Sequence, residues 1–399
     1  MTHRLYLPAM AVASCLGLGK AATIGPLMAG DRSGIGRRDG FLPGRSVPLA
    51  GLPAPLPPLP DHLGGWDSRN NRLYALLAGE IAAEIEAAKA RFGAHRIAVV
   101  VGTSTSGIAE GEAALAHHGA TGGWPEGFHY RQQETGSGAA FLAGLLGLSG
   151  PAYVVAAACS SGAKAIASAR RLIRAGLADA AIAGGADTLC RMTVCGFTAL
   201  EAMAATPCNP MSANRSGITI GEGGALFLLS PDAAEIALAG LGETSDAHHI
   251  SAPDPEGKGA LAVMDAALAD AGLAPGQIGY VNLHGTATPL NDAMESKAMA
   301  ERFGAAQPPA SSTKALTGHT LGAAGAIEAA FLWLTLSRAW NPEGWVPPHV
   351  WDGVPDPALP ALALAVPGTR LAGPAAISNS FAFGGANCCI ALAGGGGRP

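Results

Sequence analysis

Short apolar stretches that run straight into glycine, serine and threonine recur along this chain, and few folds can use them. Arg96–Val101 leads into Gly102-Thr103-Ser104-Thr105-Ser106-Gly107, Tyr153–Ala157 into Cys159-Ser160-Ser161-Gly162, Ala178–Ala183 into Gly184-Gly185-Ala186-Asp187, and Ile278–Leu283 into His284-Gly285-Thr286. Stretches this short and this apolar suit strands buried on both faces, each delivering a loop of small residues at one end. Helical patterns lie between them: about Arg72–Arg91, from Gly162 to Ala175, near Gly259–Ala271 and about Leu321–Ala339. Strands alternating with helices predict a layered α/β fold. Ala225–Leu229 is a further strand, closed by Ser230-Pro231-Asp232, after which the pattern starts again and ends in a strand–loop–strand over Ala376–Ala393. The expectation is two similar α/β halves, 1–230 and 231–399.

Three stretches fall outside this scheme. Leu5–Ala13 is expected to be a buried first strand with a glycine turn at Gly17 and Gly19, although Arg4 and the apolar run to Leu18 resemble a signal peptide, and Val12-Ala13-Ser14-Cys15 a lipoprotein box. Residues 40–60, dense in proline and leucine, read as an extended surface segment with no element. Gly394–Pro399 reads as a flexible terminus.

Composition narrows the function classes. Apolar residues are 49% of the 399, so a large core is within reach, while charged residues are only 14% against about 25% in an average domain. The formal net charge is −5 and no basic run occurs, so a nucleic-acid footprint is not expected. No uninterrupted apolar run reaches the length of a membrane-spanning helix. Cysteines stand at 15, 159, 190, 195, 208, 388 and 389 without paired CxxC spacing, which argues against a disulfide framework or a structural zinc site and for a reducing compartment, the cytoplasm. No metal site is expected.

Cys159 is the sharpest candidate for chemistry. It sits on a tight strand-to-helix turn, where the helix dipole and free backbone N–H groups are expected to favour thiolate over thiol. His284 and His319 each lie among glycines at a loop, His284 after a strand and His319 before an apolar helix. A thiol with two imidazoles suits covalent acyl transfer, the cysteine holding a thioester and the imidazoles donating hydrogen bonds to oxygen charge that develops later. Lys314 and Glu328 flank His319 in sequence and are placed to pair and hold its loop. Phe383, among small residues in Asn379-Ser380-Phe381-Ala382-Phe383-Gly384-Gly385-Ala386-Asn387, is placed to gate a pocket. Neither a Walker loop nor a convincing dinucleotide fingerprint occurs.

Together Ala-Cys-Ser-Ser-Gly at 158–162, His-Gly-Thr-Ala-Thr-Pro-Leu-Asn-Asp at 284–292, Ser-Ser-Thr-Lys-Ala-Leu-Thr-Gly-His at 311–319 and Asn-Ser-Phe-Ala-Phe-Gly-Gly-Ala-Asn at 379–387 resemble the β-ketoacyl-ACP synthases of types I and II, in the thiolase superfamily. The resemblance extends from Leu5 through Ala393. It implies a five-layered αβαβα fold of two duplicated halves and a decarboxylating condensation of an acyl group with malonyl-ACP. It implies Cys159 as the acyl-accepting nucleophile, His284 and His319 as its partners, and Lys314 supporting His319 through Glu328. It further implies backbone N–H groups of Cys159 and Phe383 as the oxyanion hole, Thr286 and Thr288 as contacts to the pantetheine arm, Phe383 and Phe197 as substrate contacts, and Asp292 and Glu295 as supporting acids.

The chain itself would need no cofactor, phosphopantetheine arriving on the acyl carrier protein. Its other partner would be an identical chain or a ketosynthase-like subunit without the cysteine. Histidine at both partner positions separates the chain from the type III enzymes, which carry His and Asn, and the presence of Cys159 separates it from chain-length-factor subunits. Arg69-Asn70-Asn71-Arg72, Phe128–Gln133 and Gly217–Glu222 are more like the synthases of aryl-polyene pigment clusters. A thiolase-like acyl-CoA transferase, with Cys388 or Cys389 as a second thiol, and a silent partner subunit stay open as alternatives.

Overall fold

The computed structural model describes residues 4–394, so apart from Gly394 the glycine-rich terminus lies outside the described residues. In chain order it contains β1 (Leu5–Ser14), β2 (Gly17–Leu18), α1 (Lys20–Ala29), β3 (Ile35–Leu42), β4 (Arg45–Ala50), α2 (Arg69–Glu80), α3 (Ala82–Phe92), β5 (Ile97–Gly102), α4 (Ile108–Thr121), α5 (Ser137–Leu146), β6 (Ala152–Val155), α6 (Ser161–Arg174), β7 (Ala180–Asp187), α7 (Arg191–Ala199), β8 (Ile220–Gly221) and β9 (Gly223–Ser230). A second run follows with β10 (Ile236–Ser245), α8 (Lys258–Ala271), β11 (Ile278–Asn282), α9 (Pro289–Phe303), β12 (Ala310–Ser311), α10 (Lys314–Thr317), α11 (Ala324–Leu336), β13 (Ala375–Phe381) and β14 (Ala386–Gly394).

Strands β6, β5, β7, β9 and β1 lie side by side in that order, and β12, β11, β13, β14 and β10 repeat it. In both sets the first three are parallel and the remaining pairs antiparallel. The sets meet where Leu5 faces Leu238 and Tyr6 faces Ala237, which makes one eleven-stranded sheet with β2 paired to β1. Alternation along the strands then builds the layers. Ile97, Val99 and Val101 of β5 pack with Leu73 and Leu77 of α2, Ile85 of α3 and Phe141 of α5. Ala98 and Val100, pointing the other way, pack with Ile166 of α6 and Ile327 and Phe331 of α11, and the same core takes in Ile390 and Leu392 of β14. The far face of the second set, with Val281 and Ile377, is covered by Val263 and Met264 of α8 and Met294 and Met299 of α9. The result is the expected five layers, helix–sheet–helix–sheet–helix, with α6 and α11 in the middle.

The stretch that resembled a signal peptide is β1, an interior strand paired with both β9 and β10. Other expectations need correcting. The helix read over 72–91 is two helices, because Ile81 after Gly79 leaves helical geometry at φ −119°, and the break lets Leu77 and Ile85 share one core. Residues 40–60 are not without an element: β4 pairs with β3 and, in parallel, with β8, and Val47, Leu49 and Ala50 are buried. Pro48 masked this alternation, although a proline is tolerated where its ring needs no ladder hydrogen bond. Past Gly51 the chain is irregular as far as Pro60, as expected. β6 is not buried but a half-exposed edge strand. The last long helix stops at Leu336, where the Asn341 amide donates to the Thr335 and Trp345 carbonyls.

Candidate active site

Cys159 lies between β6 and the first turn of α6. Ala158 takes φ +46°, a left-handed conformation costly for a residue with a Cβ, and two serines staple the turn: Ser161 Oγ accepts from Ala157 N (2.9 Å) and donates to Ala158 O (2.6 Å), while Ser160 Oγ donates to Ala157 O (2.9 Å). The sulfur thereby faces the start of a helix. The thiolate expected from that position is not favoured, however. Burial pushes the Cys159 thiol up to about 12, with Asp187 and Glu328 adding to the rise, while Lys314 and the Phe383 backbone N–H pull the other way. Removing the sulfur from water outweighs the helix terminus, and the resting group is a neutral thiol.

Both histidines reach it from the second run. His319 Nε2 is 3.1 Å from Cys159 Sγ, and the His284 ring stands edge-on to that of His319, centroids 5.4 Å apart. Both rings are buried, and burial followed by the charge of Lys314 holds each well below the usual imidazole range, so both are neutral. Lys314 Nζ lies 3.3 Å from His284 Nδ1 and forms an ion pair with Glu328. An ammonium can only donate, so Nδ1 of His284 is the acceptor and its Nε2 carries the proton. The structure thus brings Lys314 directly onto His284, where the sequence pointed to His319. Among the described residues, nothing hydrogen-bonds to His319 Nδ1.

The remaining expected residues gather around this centre. Glu295 accepts from the backbone N–H of His284 (2.8 Å) and Gly285 (2.7 Å) and from the Asn379 amide (3.2 Å), and so fixes the His284 loop. Asp292 accepts from Met211 N and Ala287 N and anchors the following turn. Burial raises both acids, Glu295 to about 7. Thr286 and Thr288 hydroxyls lie 2.9 Å apart on the wall of a cavity of about 300 Å³ whose lining includes Cys159, His284, His319, Phe197 and Phe383. Phe383, 39% exposed, stacks obliquely on Phe197 at 5.8 Å between centroids. Cys388 and Cys389 lie buried inside β14 and do not line this cavity.

Sequence reasoning missed Asp187, which ends β7 and accepts hydrogen bonds from Thr103, Ser104, Thr105 and Ala323. It also missed Glu222, whose carboxylate binds Arg69 and the N–H groups of Leu52 and Leu189. The available signal was an acid closing an apolar strand, where an unpaired charge is not tolerated.

The chain matches the family model of the β-ketoacyl synthase N-terminal domain over residues 72–234 and that of the C-terminal domain over 234–348. The 3-oxoacyl-[acyl-carrier-protein] synthase 2 of Staphylococcus aureus (strain COL) is 37% identical over 261 residues, 61% of this chain and 62% of the relative. The protein of the same name from Synechocystis is 35% identical over 264 residues, 62% of each. The chain thus spans about 62% of the length of these curated relatives. Among solved structures, it superposes on a chain from the ketosynthase (ApeO) in complex with its chain length factor (ApeC) of Xenorhabdus doucetiae, with TM-score 0.94, 45% identity and 98% of both chains covered. A β-ketoacyl synthase from Burkholderia phymatum gives TM-score 0.87 at 28% identity, covering 98% of this chain and 99% of that one. With both domain models matched end to end across a cavity floored by Cys159, His284 and His319, the chain belongs to the β-ketoacyl synthase family.

Proposed function

We propose that the chain joins an acyl group to a malonyl group, both carried by acyl carrier protein, with loss of CO2, residues 1–230 supplying the nucleophile and 231–399 both histidines. The observation that carries this reading is the 3.1 Å approach of His319 Nε2 to a neutral, buried Cys159 thiol, with a second neutral imidazole beside it. A neutral thiol must lose its proton as sulfur attacks, and His319 is the base within reach. The sulfur adds to the acyl thioester, the C–S bond to the pantetheine arm breaks, and His319 returns the proton to the departing thiol.

Malonyl thioester then takes the place of the first carrier arm, its pantetheine hydroxyl and amides meeting Thr286 and Thr288. The Nε2–H of His284 donates a hydrogen bond to its thioester oxygen and holds the negative charge that appears there as the C–C bond to the carboxylate breaks and CO2 leaves, while the His319 ring, its Nε2 now without a proton, lies beside that of His284. The freed carbon attacks the acyl carbon on Cys159. The tetrahedral oxyanion faces the N–H groups of Cys159 and Phe383. Collapse breaks the C–S bond, and the Cys159 thiolate takes a proton from solvent by way of His319. No step calls for a cofactor held by this chain.

We assign the acyl substrates to the fatty-acid-like or aryl-polyene type, on the strength of residues 69–72, 128–133 and 217–222 and the 45% identity to a chain of the ApeO–ApeC complex. The partner is a second copy or a ketosynthase-like subunit, and the free cysteines among the described residues fit the reducing cytoplasm. Release of labelled CO2 from malonyl-ACP tests the reading. A silent subunit releases none, and a thiolase-like transferase ignores malonyl-ACP; either result overturns the proposal.

A further inference from the structure

Of the two histidines, only His284 has its Nδ1 held by a side chain among the described residues, through Lys314. His319 has a buried Nδ1 with no hydrogen-bond partner among the described residues, so its reach to Cys159 depends on how its backbone is held. Upstream the hold is visible: His319 N donates to Thr219 O (2.6 Å) and Gly221 N donates to His319 O (3.0 Å). Downstream the chain passes through Leu321 at φ +51° into a tight turn over Leu321–Ala323. A leucine in that conformation persists only where its surroundings impose it.

Downstream, besides the packing of Leu321 and the turn's own Ala323 N–H to Thr320 O bond, the turn is tied to a carboxylate. Asp187 is 1% exposed, and among the described residues no cationic side chain pairs with it. Its Oδ1 accepts from Thr103 Oγ1 (2.6 Å), Ser104 N (2.7 Å), Thr105 N (2.8 Å) and Thr105 Oγ1 (2.8 Å). Its Oδ2 accepts from Ala323 N (3.0 Å), four residues beyond His319. One side chain on β7 therefore ties the loop after β5 to the turn that opens α11. The two oxygens divide the work: one serves the first run of the chain, the other the segment that carries His319.

We propose that Asp187 is a positioning residue for His319, holding the Leu321–Ala323 turn so that the imidazole stays within proton-transfer reach of Cys159. This rests on the condensing reading given above and adds a residue that never touches substrate. The division of the two oxygens supplies the test. In Asp187→Asn the amide oxygen satisfies the four donors on one side, which leaves the NH2 facing the Ala323 N–H, donor against donor. Gly322→Ala reaches the same contact from the other side, because a Cβ there would lie 2.8 Å from Asp187 Oδ2 and 2.7 Å from Ser104 Oγ.

The measurement is single-turnover acylation of Cys159 by an acyl-ACP, followed by mass spectrometry at several carrier concentrations. Asp187→Asn is expected to lower the saturating rate tenfold or more while the half-saturating concentration stays within twofold. In a His319→Ala background the same substitution is expected to change the rate less than twofold, since the ring it positions is gone. Should Asp187→Asn fail to fold, Gly322→Ala is held to the same two results. An undiminished saturating rate, or an equal loss with and without His319, overturns the inference. A wild-type chain that takes no acyl group onto Cys159 defeats the condensing reading instead, so the two failures are separable.

Discussion

At the scale of single residues, the site works with groups that burial has discharged. Cys159→Ser is nearly isosteric and is expected to abolish acyl-enzyme formation while the far-ultraviolet spectrum and melting temperature stay close to wild type; an electrophile that labels another cysteine and leaves Cys159 untouched would refute the assignment. His284→Ala should leave acylation of Cys159 intact and slow malonyl decarboxylation by about 10²–10³, the usual loss for one donor to a developing oxyanion. Condensation by this variant at the wild-type rate would remove His284 from the mechanism. Glu328 gives a pH prediction. Burial raises its carboxyl from 4.5 to about 7, against the pull of Lys314. A group raised on folding contributes stability that is fully present below its unfolded value near 4.5 and is lost as pH rises through about 7. Activity runs the other way, because the charge pair that presses Lys314 onto His284 needs an ionised Glu328. Decarboxylation should therefore fall as pH drops through about 7, and Glu328→Gln should be slower overall without that acid limb; a pH–rate profile unchanged by the substitution would refute the pairing.

Among the elements, α6 and α11 decide how close the thiol and the imidazole can come. They cross at small residues: a Cβ on Gly162 would lie 2.9 Å from Ala326 Cβ and 3.0 Å from Gly322 O. Gly162→Val should cost about 1–3 kcal/mol through overpacking and depress acylation further, because Gly162 follows Cys159 by three residues; urea unfolding and single-turnover rates check both, and a fully stable, fully active variant would mean that the crossing has slack. The loops bearing Cys159, His284 and His319 were legible because each follows or precedes an uninterrupted apolar stretch, a pattern that local sequence carries by itself. β4 was hidden by Pro48, and the break at Ile81 by the continuous helical spacing on either side of it. The partner of Lys314 was assigned to the histidine nearer in sequence, whereas the fold brings the lysine to the other one. The state of the Cys159 thiol was misjudged because its helix is local, but the burial that outweighs the helix comes from distant segments. Asp187 was overlooked for a similar reason, since its donors at Thr103, Ser104, Thr105 and Ala323 converge only in three dimensions.

For the whole molecule, β6 is an open sheet edge, and Leu115, Trp124 and Tyr130 are also exposed, at 62%, 54% and 66%. An open edge and exposed apolar side chains each call for a covering surface. The expected state in light scattering is a dimer, of this chain with itself or with a ketosynthase-like subunit. A stable monomer with full condensing activity would exclude both forms. The sheet order also bears on synthesis. β1 is clasped between β9 and β10, so this strand lacks its two long neighbours until the chain has been extended through β9 and then β10. The gap between nucleophile and base is longer in time: 160 residues separate Cys159 from His319, which at about 5–20 residues per second is roughly 8–32 s of elongation. Throughout that interval a nascent chain on the ribosome carries a cysteine with no imidazole beside it, so acyl capture can begin only once the second run has emerged and folded against the first.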